Sequence, residues 1–270
     1  MRRLERLGIL LGLVVVGLGV SSNVPLPSPV LAFHLPGSLA PISITLTPAR
    51  QVSLVVLFFA CIGIDSILRA DPRLVGAGLA RTIPFWILPG IFVLVAFGLF
   101  EELSGVWPQV LGLAAAAGVL GLLVVAQLHT LDPSGRWFEV SLLGLNAVTY
   151  GLALAAFIVA YRLPARELLT PALVTFASVA LALHLFETTR ASNRRIWGSA
   201  LLVGLMLGEV AWTLSRGILS PLVSAFLLLL VFYGATGIIQ QHFWGRLRPQ
   251  VAVEFAIVAA AILALIAYLG

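Results

Sequence analysis

Long apolar segments separated by short polar ones run along almost the whole chain. After an apolar run at residues 7–22, eight more segments of about 17 to 24 residues carry few charges, close to the ~20 residues that cross a ~30 Å hydrocarbon core. They are Gln51–Leu68, Pro84–Phe100, Val110–Leu128, Phe138–Tyr161, Leu168–Phe186, Ile196–Ser215, Leu219–Ile239 and Val251–Leu269. The pattern predicts an all-α fold, a polytopic transmembrane helix bundle of about nine helices with short loops.

The first segment is typical of either a signal peptide or a first transmembrane helix. Arg2, Arg3 and Arg6 precede the apolar run. A cleavage site after Ala32 would lie behind three prolines, so we favour an uncleaved anchor at residues 1–22. Cleavage would leave eight helices.

Residues 23–49 form the longest loop, in which six prolines forbid a continuous helix. Within it, Ile42–Thr47 alternates apolar and polar positions, which predicts a short strand or an interfacial segment. Residues 50–270 are then predicted to form one membrane domain of eight helices.

Composition narrows the class of protein. The chain is 60% hydrophobic and only 10% charged, whereas a soluble domain is about 25% charged. All sixteen basic residues are arginine, which excludes lysine chemistry such as a Schiff base. They stand singly or in small groups between apolar segments, so the net charge of +5 indicates membrane flanks and no nucleic-acid partner. The expected partners are the lipid bilayer and other membrane subunits.

The arginines also predict an orientation. With the N-terminus in the cytoplasm, twelve of the sixteen arginines fall on the inner side. This positive-inside bias predicts an inner (cytoplasmic) membrane protein with its N-terminus inside and its C-terminus outside.

One acid, Glu209, stands inside the segment Ile196–Ser215, where an ionisable group is costly unless other helices or water shelter it. Trp212 and Thr213 share its helical face, while Ala200, Gly204, Gly208, Ala211 and Ser215 line a separate stripe that suits close helix packing. We predict a buried polar site that comprises Glu209, Trp212, Thr213, Asn146 and Tyr150. It would serve a proton, cation or ligand amine, or else hold a neutral structural acid.

A second polar group is predicted at the cytoplasmic boundary. Its members are Asp65, His184, Glu187, Gln240, His242 and Glu254, with His129 and Gln241 at a similar depth. Histidine with carboxylates could form an acid/base or metal site. However, the spacing matches no metal-binding motif, so we expect no metal and no cofactor. Asp65 also precedes Arg69 by four residues, which favours a simple helical ion pair.

Four segments carry a resemblance: ISITLT, ACIGIDSILRADP, GLMLGEVAW and QQHFWGRLRP…EF. Through them the chain resembles a family of bacterial multi-pass membrane proteins of unknown function. The resemblance implies the same membrane topology, draws attention to Asp65, Glu209 and Glu254, and supplies no substrate.

The sequence leaves three functions open. The first is a non-catalytic protein, either transport-like or a subunit of a membrane complex, because no nucleophile–base pair is recognisable. The second is an intramembrane enzyme that acts on lipid or isoprenoid substrates through the inner histidine and acid layer. The third, a heme or quinone protein, has only His184 near enough to a span to serve as an axial ligand.

Overall fold

The structure is a computed structural model that describes residues 2–24, 27–33, 42–71, 79–132, 134–163, 166–187, 189, 192–216 and 219–245. Eight helices and two short strands lie within these ranges. The elements are α1 (Arg2–Asn23), β1 (Val30–Phe33), β2 (Ile42–Thr45), α2 (Pro48–Leu68), α3 (Leu79–Phe100), α4 (Val106–His129), α5 (Phe138–Arg162), α6 (Arg166–Glu187), α7 (Asn193–Ser215) and α8 (Pro221–Phe243). The predicted ninth segment, Val251–Leu269, lies outside the described residues.

Seven of the described helices, α2 to α8, are long and apolar enough to cross a membrane. Each predicted segment from Gln51 to Ile239 therefore corresponds to one helix, with ends displaced by a few residues. Thr47 and Ser220 explain where α2 and α8 begin. Each side chain accepts a hydrogen bond from a backbone N–H of the first helical turn, and a proline follows each residue. The chain divides into two compact units, residues 1–147 and 148–270, and the division falls inside α5.

In unit 1, helices α1 to α4 pack in alternating directions. The Arg6 guanidinium at the start of α1 donates to the Ser66 carbonyl at the end of α2 (2.5 Å). Further along α1, Gly17 lies against Val56 of α2 and Phe97 of α3. Leu10, Val14 and Leu18 of α1 are buried, so the first helix is part of the packed core of this unit.

Helix α3 contains two prolines, Pro84 and Pro89. Pro89 has no backbone N–H, so it cannot donate the helical hydrogen bond to the carbonyl of Phe85, four residues earlier. The side chain of Gln127, buried on α4, donates to this Phe85 oxygen (3.1 Å). A neighbouring helix thus satisfies the carbonyl that the proline leaves open.

The strand predicted around Ile42 is present as β2 and pairs antiparallel with β1, Val30 opposite Thr45. This hairpin is fixed to the start of α2. Arg50 donates to the Thr45 carbonyl (2.6 Å), and Gln51 donates to the carbonyl of Pro27 (2.6 Å). The second strand of the pair was not predicted from the sequence.

In unit 2, the stripe of small residues on α7 packs closely against another helix, as predicted, and that helix is α6. Ala200, Gly204, Gly208 and Ala211 are buried there. A Cβ on Gly204 would lie 2.9 Å from the Thr175 carbonyl oxygen, so the two backbones are nearly in contact. The helices run antiparallel, because Gly204 is level with Thr175 and Gly208 with Pro171.

Further contacts of unit 2 join α5 to α7 and α8. The Tyr161 hydroxyl donates to the Ala211 carbonyl of α7 (3.1 Å). On α8, Phe232 meets Tyr150 and Phe157 edge to face, with ring centroids 5.9 and 6.2 Å apart. Helix α5 is thus in direct contact with both α7 and α8.

Candidate functional site

Helix α7 presents two different faces, and Glu209 stands on the exposed one. The buried stripe of small residues faces α6, whereas Leu201, Leu202, Leu205 and Glu209 are exposed. Glu209 is therefore exposed among the described residues, and its burial in a polar site stays a prediction. The reason is its position: glycine and alanine occupy the contact surface, and Glu209 follows Gly208 by one residue, about 100° around the helix.

The neighbours of Glu209 on this face are those expected, but their side chains do not contact its carboxylate. Thr213 donates its hydroxyl to the Glu209 backbone carbonyl (3.0 Å). The Arg216 guanidinium lies over the Trp212 ring, 4.4 Å from its centroid. Among the described residues, the Glu209 carboxylate has no hydrogen-bonding or ionic partner.

The other two members of the predicted site lie elsewhere in the fold. The Tyr150 hydroxyl is 3.3 Å from the Thr236 hydroxyl of α8, and Thr236 also donates to the Phe232 carbonyl (2.7 Å). Asn146 is half-buried and belongs to unit 1, whereas Glu209 belongs to unit 2. A common role for Asn146, Tyr150 and Glu209 stays a prediction.

Helices α6 and α8 end side by side, and four members of the predicted polar layer lie near these ends, which leaves the layer itself a prediction. Gln240, buried on α8, donates to the Leu185 carbonyl in the last turn of α6 (3.1 Å). A helix end leaves its last carbonyls without partners, so Gln240 acts here as a C-terminal cap. His184 is half-buried, and Glu187 and His242 are exposed at the same ends. The described contacts of Gln240 are those of a structural residue.

Asp65 and Glu254 are the remaining members predicted for that layer. Asp65 pairs with Arg69 (2.5 Å), as the spacing of four residues predicts. Glu254 lies outside the described residues. No group of three or more histidine, cysteine, aspartate or glutamate side chains in the described part of the chain is arranged to hold a metal ion.

The structure also contains a cavity that the sequence pattern does not predict. It has a volume of about 420 Å³ and lies in unit 1, where α2 and α4 end and α5 begins. Its lining residues are Asp71, Val125, Leu128, His129, Asp132, Gly135, Arg136 and Trp137. Asp71 follows α2 and Asp132 follows α4, and only the packing of the helices brings these two acids to one cavity.

Comparison with known proteins gives a family match over most of the chain. Residues 26–269 match the profile of a family described as "Protein of unknown function (DUF5656)". No curated protein matches the chain. No solved structure matches it either.

Proposed function

Since the chain belongs to the DUF5656 family, a family of unknown function, its activity has to be inferred from its own geometry, and we propose that it is a non-catalytic subunit of a membrane complex. The exposed face of α7 around Glu209, which we call the Glu209 face, would contact a spanning helix of another membrane protein. The Glu209 face comprises Leu202, Leu205, Glu209, Trp212 and Thr213.

The observation that carries this proposal is an exposed acid on a helix suited to cross a membrane. Helix α7 has 23 residues, or about 34 Å at 1.5 Å per residue. Glu209 lies six residues before its last residue, about 9 Å from the end, and exposed leucines precede it on the same face. A carboxylate in hydrocarbon costs roughly 2.5–3.5 kcal/mol at the helix centre and less toward the ends. A partner helix would remove that cost.

Charge favours a particular kind of partner. Two copies related by a two-fold axis would bring two Glu209 carboxylates together, and like charges in a low-dielectric interface repel. Arg216 of the same chain is not that partner, because its guanidinium lies over the Trp212 ring. We therefore propose a partner helix that presents an arginine, a lysine or another hydrogen-bond donor to Glu209.

We also propose that the protein lies in the inner (cytoplasmic) membrane with its N-terminus inside and its C-terminus outside. The arginine distribution supports this orientation, and the alternating helix directions within each unit are compatible with it. In a Cys61→Ala background, an impermeant maleimide should label Ser104→Cys in intact cells and Ser134→Cys only after permeabilisation. Both positions are exposed, and the opposite labelling pattern would contradict the orientation.

The subunit proposal is tested by isolating the tagged chain from native membranes in polymer-bounded nanodiscs. We expect a second membrane protein to co-isolate in stoichiometric amount with the parent chain. A smaller amount should co-isolate with Glu209→Gln, and Glu209→Leu should lose it. One interhelical hydrogen bond contributes about 1–2 kcal/mol, so the leucine variant should lower retention roughly five- to thirty-fold. Glu139→Gln, an exposed acid at the start of α5, is the matched control and should change nothing.

Two outcomes would contradict the proposal. In the first, the same proteins would co-isolate with the parent and with Glu209→Leu. In the second, only further copies of the chain would be found. The partner's own sequence supplies an independent check, because its spanning segment must carry a cationic or hydrogen-bond-donating side chain.

A further inference from the structure

The cavity of unit 1 contains charged groups of both signs at a helix-end boundary. Asp71 follows α2 and is only 8% exposed, and Asp132 follows α4. Arg136 and Trp137 precede α5, with the guanidinium 5.9 Å from the centroid of the Trp137 ring. A volume of about 420 Å³ falls within the range of small-molecule sites, about 300–1,000 Å³.

We propose that this cavity binds the phosphoethanolamine headgroup of a membrane lipid. A primary ammonium carries three N–H donors and suits the carboxylates of Asp71 and Asp132. A phosphate suits the planar guanidinium of Arg136, which can donate two parallel hydrogen bonds. The headgroup joins these two charges through a short ethylene linker, so one molecule offers a group to each kind of charge in the lining.

Asp132 is oriented by a contact close to it in sequence. One of its oxygens accepts from the Ser134 hydroxyl (2.8 Å), a short-range turn contact that fixes the side chain. A carboxylate has about four acceptor positions, so a fixed Asp132 can still accept from an ammonium. Its orientation is thus set before a ligand arrives, which lowers the entropic cost of binding.

Other headgroups fit the lining less well. Choline has no N–H to donate and is usually bound by several tryptophan, tyrosine or phenylalanine rings, whereas the lining residues include Trp137 alone of these types. Phosphatidylglycerol has no cation and would place a phosphate near two aspartates. The lining therefore favours a zwitterion with a primary amine.

A continuous apolar surface indicates a lipid and not a soluble phosphoethanolamine. Val125 and Leu128 line the cavity from α4. Val125 is partly exposed, and Leu122, one turn earlier on the same helix, is 73% exposed. This row, Leu122–Val125–Leu128, runs from the cavity along the outer surface of a helix suited to cross a membrane, where acyl chains would lie.

The test is native mass spectrometry of the purified full chain in detergent with phosphatidylethanolamine, phosphatidylcholine and phosphatidylglycerol of identical acyl chains. We expect about a tenfold preference for phosphatidylethanolamine. Arg136→Gln and Asp132→Asn should each reduce that binding by about tenfold or more, since each removes a charge-assisted hydrogen bond. Glu139→Gln and Arg194→Gln, exposed charges outside the cavity, should bind as the parent does.

Equal binding of the three lipids by the parent would overturn the proposal, as would an unchanged preference in both cavity variants. The two variants act at opposite ends of the headgroup, so either one that folds provides the test. Soluble phosphoethanolamine is the competitor in a further experiment. It should displace the bound lipid only at a concentration much higher than that of the lipid. Displacement of the lipid at equal concentration would overturn the assignment to a membrane lipid.

Discussion

Adding one methyl group at Gly204 should destabilise the α6–α7 pair. A Cβ there would lie 2.2 Å from Val179 Cγ2, 2.9 Å from the Thr175 carbonyl oxygen and 3.2 Å from the Val179 nitrogen. Favourable contacts between carbon atoms need about 3.5–4.0 Å. Val179 is β-branched and has one preferred rotamer in a helix, and the other two atoms are backbone, so the whole helix must move.

The expected magnitude follows from two opposing terms. Overpacking a tight contact costs about 1–3 kcal/mol, while alanine gains up to about 1 kcal/mol over glycine in helix propensity. Gly204→Ala should therefore lower the free energy of unfolding by about 1–2 kcal/mol. Gly198 lies on the same helix, and a Cβ added there would have no neighbouring atom within 4 Å, so Gly198→Ala should be neutral or slightly stabilising.

Gly208 offers a second test of the same contact. Its added methyl would clash with the Thr175 hydroxyl, which donates to the Pro171 carbonyl (2.8 Å). The threonine side chain can rotate at the expense of that hydrogen bond, so Gly208→Ala should cost only about 1 kcal/mol. Thr175→Ala should relieve the clash and recover part of the loss in the double variant.

The assay for these variants is unfolding of purified protein in mixed micelles with increasing SDS, followed by tryptophan fluorescence. Equal stability of Gly204→Ala and Gly198→Ala would refute the close approach of α6 and α7. Additive losses in the Gly208→Ala/Thr175→Ala double variant would refute the assignment of the clash to the threonine hydroxyl.

Three further predictions concern other parts of the fold. Gln127→Met should lower the free energy of unfolding by about 1–3 kcal/mol in the same assay, because the Phe85 carbonyl loses its donor. Tyr161→Phe should lower the free energy of unfolding by about 1 kcal/mol, because it removes the hydrogen bond to the Ala211 carbonyl of α7. For each of these two variants, an unchanged free energy of unfolding would contradict the hydrogen bond that the variant removes. The intact mass of the protein from membranes should include α1, since Val14 and Leu18 are buried in unit 1, and a mass that lacks it would contradict an uncleaved anchor.

Much of the fold could be predicted from hydropathy, because a bilayer demands long apolar helices and imposes their length. The helices from α2 to α8 follow from that constraint. The packing stripe on α7 was also predictable, since Gly204 and Gly208 recur at the spacing of one helical face. The role of Gln127 could have been found as well: a buried amide in an apolar segment and a proline such as Pro89 in another are complementary signals.

The sites were harder to predict, for different reasons. The helical spacing placed Glu209 beside the packing stripe, but it did not give the width of the buried surface, which includes Gly208 and Ala211 and leaves Glu209 exposed. The cavity of unit 1 depends on which helix ends meet, and Asp71 and Arg136 are too far apart in sequence for any periodicity to connect them. Local patterns specify the elements, whereas these two sites depend on tertiary packing.

The most direct measurement of the central claim is photo-crosslinking from the Glu209 face in native membranes. A benzophenone side chain would replace Leu205, which is 54% exposed one turn from Glu209, and in a matched control Phe176, which is 66% exposed on α6. The subunit proposal predicts one discrete protein adduct of a different polypeptide from Leu205, and lipid adducts alone from Phe176. Lipid adducts alone from both positions would contradict it.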